Sequence, residues 1–185
     1  MGDKFMVIIT ARHVDVEFLN KLALNLRDPG DDEFSIFLSL DSDDKVHSRH
    51  LSPPVDFDPA TNSFAGMSIA DVEAFIAASE SKLFMSFSDS GDFIVIDDEA
   101  VQRGDCVLLH ADWDIEGDEN EDDEIDGAEK GGGDREEVFG FKKARVPPSD
   151  AFNMVCNLSV ANLGWEDFCP RPDPESGAHW YFYGF

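Results

Sequence analysis

Basic residues are scarce in this sequence. Its 185 residues include 14 lysines and arginines against 40 aspartates and glutamates, so the formal net charge is -26 at pH 7. The few cations are scattered, and the nearest approach to a cluster is Lys142, Lys143 and Arg145. A chain with this charge is repelled by phosphate backbones and by anionic membrane surfaces. The composition therefore excludes nucleic acid and membrane as expected partners, and it favours a basic protein surface.

Long apolar segments and paired cysteines are also lacking. No segment reaches the length of a membrane-spanning helix, and the amino terminus lacks the pattern of a signal peptide. The three cysteines, Cys106, Cys156 and Cys169, are odd in number and form no CxxC motif. We therefore expect an intracellular, cytoplasmic protein with reduced cysteines, and the sequence does not indicate its oligomeric state.

Familiar catalytic motifs are absent as well. The chain has no GxSxG nucleophile elbow, no GxGxxG dinucleotide motif and no phosphate-binding P-loop. We therefore predict no organic cofactor. The absence of these motifs favours a non-enzymatic protein but does not exclude an enzyme.

The apolar pattern predicts one α/β domain over residues 1–185, with α+β as the alternative. Residues 5–10 form an unbroken apolar run, typical of a strand buried on both faces, and a helical pattern over 14–27 and a strand pattern over 34–40 follow. A second helix is predicted over 68–79. The further predicted strands cover 82–87, 93–96, 106–110, 138–145 and 180–185, within a mixed sheet.

The third main helix is predicted over 149–163, and we expect it to be the centre of the fold. Pro147 and Pro148 stop the preceding strand, Ser149 can cap the helix, and Gly164 can end it. Apolar residues occupy most of its surface, so the helix should be nearly all buried, with Asn153 and Asn157 on a narrow polar stripe.

Two segments lack the pattern of a core. Residues 41–66 are rich in turn-forming residues and are predicted to be a long surface loop. Residues 114–137 contain thirteen acidic residues against Lys130 and Arg135, together with three consecutive glycines. This density of charge predicts an acidic, low-complexity, disordered insertion.

The start of the insertion resembles a calcium-binding loop. Asp112, Asp114, Glu116 and Asp118 place carboxylates at alternate positions, with Gly117 at the turn. Position twelve of the pattern is Asp123 instead of glutamate, and no amphipathic exit helix follows. Weak calcium binding by the 112–123 loop is therefore one hypothesis, and a solvated acidic tract is the other.

Polar residues at the ends of predicted strands suggest a small-molecule or enzymatic site. Asp97, His110 and Asp112 lie at these strand ends, and Asn157 and Asn162 of the third main helix complete the candidate set. Sites gather at the carboxyl ends of strands in α/β folds, and a histidine between carboxylates can act as a general base. If strands 93–96 and 106–110 form a hairpin, however, Asp97 and Asp112 lie at opposite edges, and turn or capping roles are the alternative.

The carboxyl-terminal helix resembles the signature of an uncharacterised, mostly bacterial family of domains of unknown function. That signature reads approximately FRVVPSELWSxENNLSLANMDFEDF, and an ending close to FRGF follows. The matching residues are Arg145, Val146, Pro148, Ser149, Asn157, Leu158, Ser159, Ala161, Asn162, Glu166, Asp167, Phe168, Gly184 and Phe185. Val155 and Cys156 replace the Glu-Asn of the family, and the acidic insertion is not part of its pattern. The resemblance implies a compact α/β domain and transfers no activity.

Charge supplies the first functional hypothesis, a non-enzymatic protein–protein interaction module that binds a basic partner. The second is a small enzyme or small-molecule-binding protein with a polar site near Asp97, His110, Asp112, Asn157 and Asn162.

Overall fold

The structure is a computed structural model that describes residues 6–26, 36–40, 46–50, 52–78, 91–112, 140–169 and 179–180. Within these ranges the side chains of 36–40, 46–50, Pro59, Asp112 and 179–180 are not described.

Seven strands and five α-helices form along the described chain. The strands are β1 (Met6–Ile9), β2 (Ile36–Leu40), β3 (Val46–His50), β4 (Asp92–Ile96), β5 (Cys106–Asp112), β6 (Gly140–Val146) and β7 (His179–Trp180). The helices are α1 (Val16–Asn25), α2 (Ile69–Ala78), α3 (Asp98–Arg103), α4 (Pro148–Ser159) and α5 (Trp165–Phe168), with a short 3-10 helix at Pro59–Thr61.

All seven strands join one mixed sheet in the order β3-β2-β1-β4-β5-β6-β7. β1 is parallel to both of its neighbours, β2 and β4, whereas β5 is antiparallel to β4 and to β6. The carboxyl ends of β1, β4 and β6 therefore lie on the same side of the sheet, and the carboxyl end of β5 lies on the opposite side. We call these two sides, where the strands end, the two edges of the sheet. The predicted α/β fold with a mixed sheet is confirmed.

The central strands are buried on both faces, which explains their unbroken apolar runs. One face, with Val7, Ile94 and Leu108, packs against α1 and α4, and Trp165 and Phe168 of α5 join the same core. The other face, with Ile8, Val95 and Val107, packs against α2 and Phe64. The fold thus has three layers. The prediction that the third main helix is nearly all buried is wrong: α4 buries Pro148, Ala151, Met154 and Val155, whereas its second flank, with Phe152, Cys156 and Leu158, is only partly buried.

Local signals explain where several elements begin. Ser68 and Asp71 form a capping box at the start of α2, in which the backbone N–H of Asp71 donates to Ser68 Oγ and that of Ser68 donates to Asp71 Oδ2. Asp15 caps α1 by accepting a hydrogen bond from the backbone N–H of Phe18 at 2.6 Å.

Three local predictions need correction. The predicted loop over 41–66 is wrong for Val46–His50, which forms β3 beside β2 because the backbone of β2 offers it an edge to pair with. The connection between β4 and β5 contains α3, which Asp97 caps and Gly104 ends. The predicted helix over 149–163 begins at Pro148, with Pro147 as its N-cap, so Ser149 does not cap it. It ends at Ser159, and Gly164 instead precedes α5.

Other predictions lie outside the described residues. They are the strand over 82–87, the acidic insertion over 114–137 and the carboxyl-terminal strand beyond Trp180. Cys106, Cys156 and Cys169 form no disulfide with one another, and Cys106 and Cys169 are buried. Burial raises the pKa of the Cys106 thiol well above its ordinary value and that of Cys169 to about 12. Among the described helices, none combines the length and apolar character needed to cross a bilayer.

Candidate functional site

The strand order reverses at β1: from β1 the chain first continues to β2 and β3 on one side and then returns to β4 on the other side. In open α/β sheets such a point leaves a crevice at the carboxyl ends of the strands, where ligands commonly bind. Here residues 62–66 pack over this position. Asn62 donates to the backbone oxygen of Ile9 at 2.7 Å, and the backbone N–H of Gly66 donates to the backbone oxygen of Thr10 at 2.7 Å. The protein's own chain therefore occupies the usual ligand position beside β1.

Arg12 and Asp98 link the ends of β1 and β4 at the same edge. The backbone N–H of Arg12 donates to Asp98 Oδ1 at 2.8 Å, and its guanidinium donates to Asp98 Oδ2 at 3.0 Å. A Cβ on Gly66 would lie 3.1 Å from Arg12 Nε, so glycine lets the guanidinium approach the 62–66 backbone. These contacts add to the cover that residues 62–66 form over the carboxyl end of β1.

Arg145 occupies the centre of a carboxylate cluster farther along this edge. Its guanidinium contacts Asp97 at 2.5 Å, Glu99 at 3.0 Å and Asp105 at 3.3 Å, and only 14% of the side chain is exposed. Asp97 also accepts the backbone N–H of Ala100 and so caps α3. The cluster binds β6 to α3 and has the character of a structural clamp.

The pKa values of two carboxylates in this cluster are shifted in opposite directions. Burial raises the pKa of Asp97, but the hydrogen bonds from Arg145 and from the Ala100 N–H outweigh it and leave the pKa below its ordinary value. Burial also raises the pKa of Asp105, and there the charges of Arg145 and Arg103 do not compensate. Asp97 is therefore the carboxylate that Arg145 stabilises most.

The opposite edge of the sheet carries a row of three ionisable residues on adjacent strands. Asp92 on β4 lies directly opposite His110 on β5, and His110 lies opposite Lys142 on β6. Side chains alternate along a strand, so the three residues share the face of Ile94, Leu108 and Ala144, which α4 covers. We define Asp92, His110 and Lys142 as the three-strand row.

Asp92 orients the imidazole of His110. His110 Nδ1 lies 2.7 Å from Asp92 Oδ1, the Asp92 side chain is 1% exposed, and that of His110 is 22% exposed. A carboxylate that accepts a hydrogen bond from Nδ1 holds the ring in one tautomer and orientation. Asp92 therefore fixes the orientation of the ring, with Nε2 directed away from this carboxylate.

Trp165 supports the other side of the ring. The indole stacks on the imidazole with centroids 5.6 Å apart and planes inclined by 12°, and Trp165 is buried. α5 places Trp165 there, and the Asp167 carboxylate accepts the backbone N–H of Gly164 at 2.8 Å at the start of this helix. His110 is therefore constrained both by a buried carboxylate and by a buried aromatic ring.

Lys142 is the cation of this edge. Its Nζ donates to Glu166 Oε1 at 3.1 Å, and the Lys142 side chain is 24% exposed while that of Glu166 is 62% exposed. A hydrogen bond to the backbone N–H of Glu166 itself, together with the one from Lys142, lowers the pKa of Glu166. The pair therefore consists of an ammonium and an ionised carboxylate at the surface.

The structure divides the five predicted site residues between the two edges. Asp97 lies five residues beyond Asp92 along β4, and at about 3.3 Å per residue this places it roughly 16 Å from the level of His110. Asp97 therefore belongs to the Arg145 clamp. Asp112 ends β5, two residues beyond His110, and only its backbone is described.

Asn157 and Asn162 are joined by a side-chain hydrogen bond at the end of α4. The Asn162 amide donates to Asn157 Oδ1 at 2.7 Å, and the Asn157 amide donates to the backbone oxygen of Asn153 at 2.7 Å. Ala161, between them, has a left-handed backbone with φ of 50°. These asparagines shape the turn from α4 into α5, which carries Trp165 to His110.

Sequence reasoning identified His110 but not Asp92 and Lys142 beside it or Trp165 stacked on it. The spacing along the chain contains no signal for this row, because its members come from three strands. The one local indication is Asp92 itself, a carboxylate in front of the apolar run of β4.

A metal role is not supported by the described side chains, among which no three His, Cys, Asp or Glu residues assemble as ligands. The calcium candidates Asp114, Glu116 and Asp118 lie outside the described residues, and Asp112 is described by its backbone alone.

Comparison with known proteins concerns the family and not the activity. No curated protein and no solved structure matches the chain. One family model, described as a domain of unknown function (DUF6924), matches residues 27–180. The match covers most of the sequence, including the Arg145 cluster and the three-strand row, and it confirms the predicted membership in a family of unknown function. The chain therefore belongs to the DUF6924 family.

Proposed function

We propose that this protein is a non-enzymatic interaction module that binds a basic surface of another protein. The supporting observation is the way in which the described chain uses its few cations. Five lysines and arginines form ion pairs with carboxylates of the same chain, namely Arg12, Arg103, Lys142, Lys143 and Arg145. These cations are thereby neutralised internally, and the acidic excess is left to face solvent.

Exposed carboxylates are spread over several elements. Glu17 lies on α1, Asp56 precedes the 3-10 helix, Asp71 lies on α2 and Asp167 on α5, and all are exposed. The 114–137 segment adds thirteen acidic residues and two basic ones. A field of one sign attracts an oppositely charged partner and accelerates association, while like-charged molecules are kept away.

Salt dependence follows from this mechanism. Charges at a protein surface are screened over about 8 Å at physiological ionic strength. Binding driven by the acidic surface should therefore weaken steeply as salt is added, with most of the change in the association rate.

The experiment begins with capture of partners at low salt, followed by measurement of the affinity of each purified partner over a salt series. The test variants are Glu17→Lys with Asp56→Lys, and a chain in which a neutral Gly/Ser linker of equal length replaces 114–137. We expect each variant to bind at least several-fold more weakly at low salt and to converge with the parent chain at high salt. Affinities that depend neither on salt nor on these substitutions would refute the proposal.

A further inference from the structure

We draw no further inference here: the strongest candidate, the carboxyl end of β1 where the buried hydroxyl of Thr10 has no hydrogen-bond partner among the described residues, is covered by residues 62–66 of the chain itself, and nothing in the structure shows what ligand would take their place.

Discussion

Asp97 stabilises two parts of the fold through one carboxylate. It caps α3 at the Ala100 N–H with a distance of 2.7 Å, and it accepts the guanidinium of Arg145 on β6. Asp105 contacts the same arginine at 3.3 Å, yet burial raises its pKa while that of Asp97 is lowered. Neighbouring carboxylates on one cation can therefore contribute to stability with opposite dependence on pH.

Asp97→Asn should destabilise the protein at neutral pH by on the order of 2 kcal/mol, through the weakened cap and the weakened contact with Arg145. The stability that ionised Asp97 contributes is present above its ordinary pKa of 3.8 and is lost as the pH falls through the lower folded value. The difference in unfolding free energy between the parent chain and the variant should therefore narrow on acidification. Urea unfolding between neutral pH and about pH 3 measures this difference.

Asp105→Asn is the matched comparison and should behave in the opposite way. The pKa of Asp105 is raised in the folded state, so protonation between the folded value and 3.8 adds stability to the parent chain as the pH falls. Asparagine cannot gain that stability, so the free energy of unfolding of this variant should fall relative to that of the parent chain on acidification. If both deficits changed in the same direction, the assignment of the clamp would be wrong.

α3 shows how a short element is delimited by its ends. Asp97 caps its first turn, and Gly104 ends it in a left-handed conformation with φ of 74°. Glycine occupies this conformation without strain, whereas a side chain at Cβ is disfavoured there.

Gly104→Ala should cost about 1 kcal/mol of folding stability through backbone strain alone, because a Cβ at position 104 would meet no atom within 4 Å. Gly140→Ala is the control, since position 140 in β6 is equally open and has no positive φ. Chemical denaturation of both variants measures the difference. A Gly104 variant as stable as the Gly140 variant would exclude the strain.

α5 illustrates the limit of pattern reasoning for a short element. A four-residue helix has too few residues for a periodic signal, so the sequence indicated only that the long helix should end at Gly164. The structure ends α4 at Ser159 and uses residues 160–164 as a turn. That turn places Trp165 on His110, a contact between residues 55 positions apart along the chain.

Charge acts at the scale of the whole molecule. A net charge of -26 opposes the compact state through repulsion among its own carboxylates, and salt screens this repulsion. The ion pairs of Arg12, Lys143 and Arg145 bring opposite charges together locally and offset part of it.

The melting temperature should therefore rise with sodium chloride at neutral pH. The chain in which a neutral linker replaces 114–137 lacks a net charge of -11 and should show a smaller rise. Differential scanning calorimetry of both chains over a salt series measures this difference. Equal salt responses would mean that repulsion by the acidic segment does not influence folding.

The sequence by itself determined the α/β class, the two-faced burial of β1, the three main helices and the acidic character. Each of these depends on residues that are close in the chain, such as the apolar run at Met6–Ile9 and the capping pair Ser68 and Asp71. Tertiary structure alone decided the geometry of the candidate site. Asp92, His110 and Lys142 meet because β5 runs antiparallel to β4 and β6 in one register, and a shift of one residue would send a side chain to the other face. Pairing of distant strands depends on the packing of the whole sheet, which local sequence patterns do not encode.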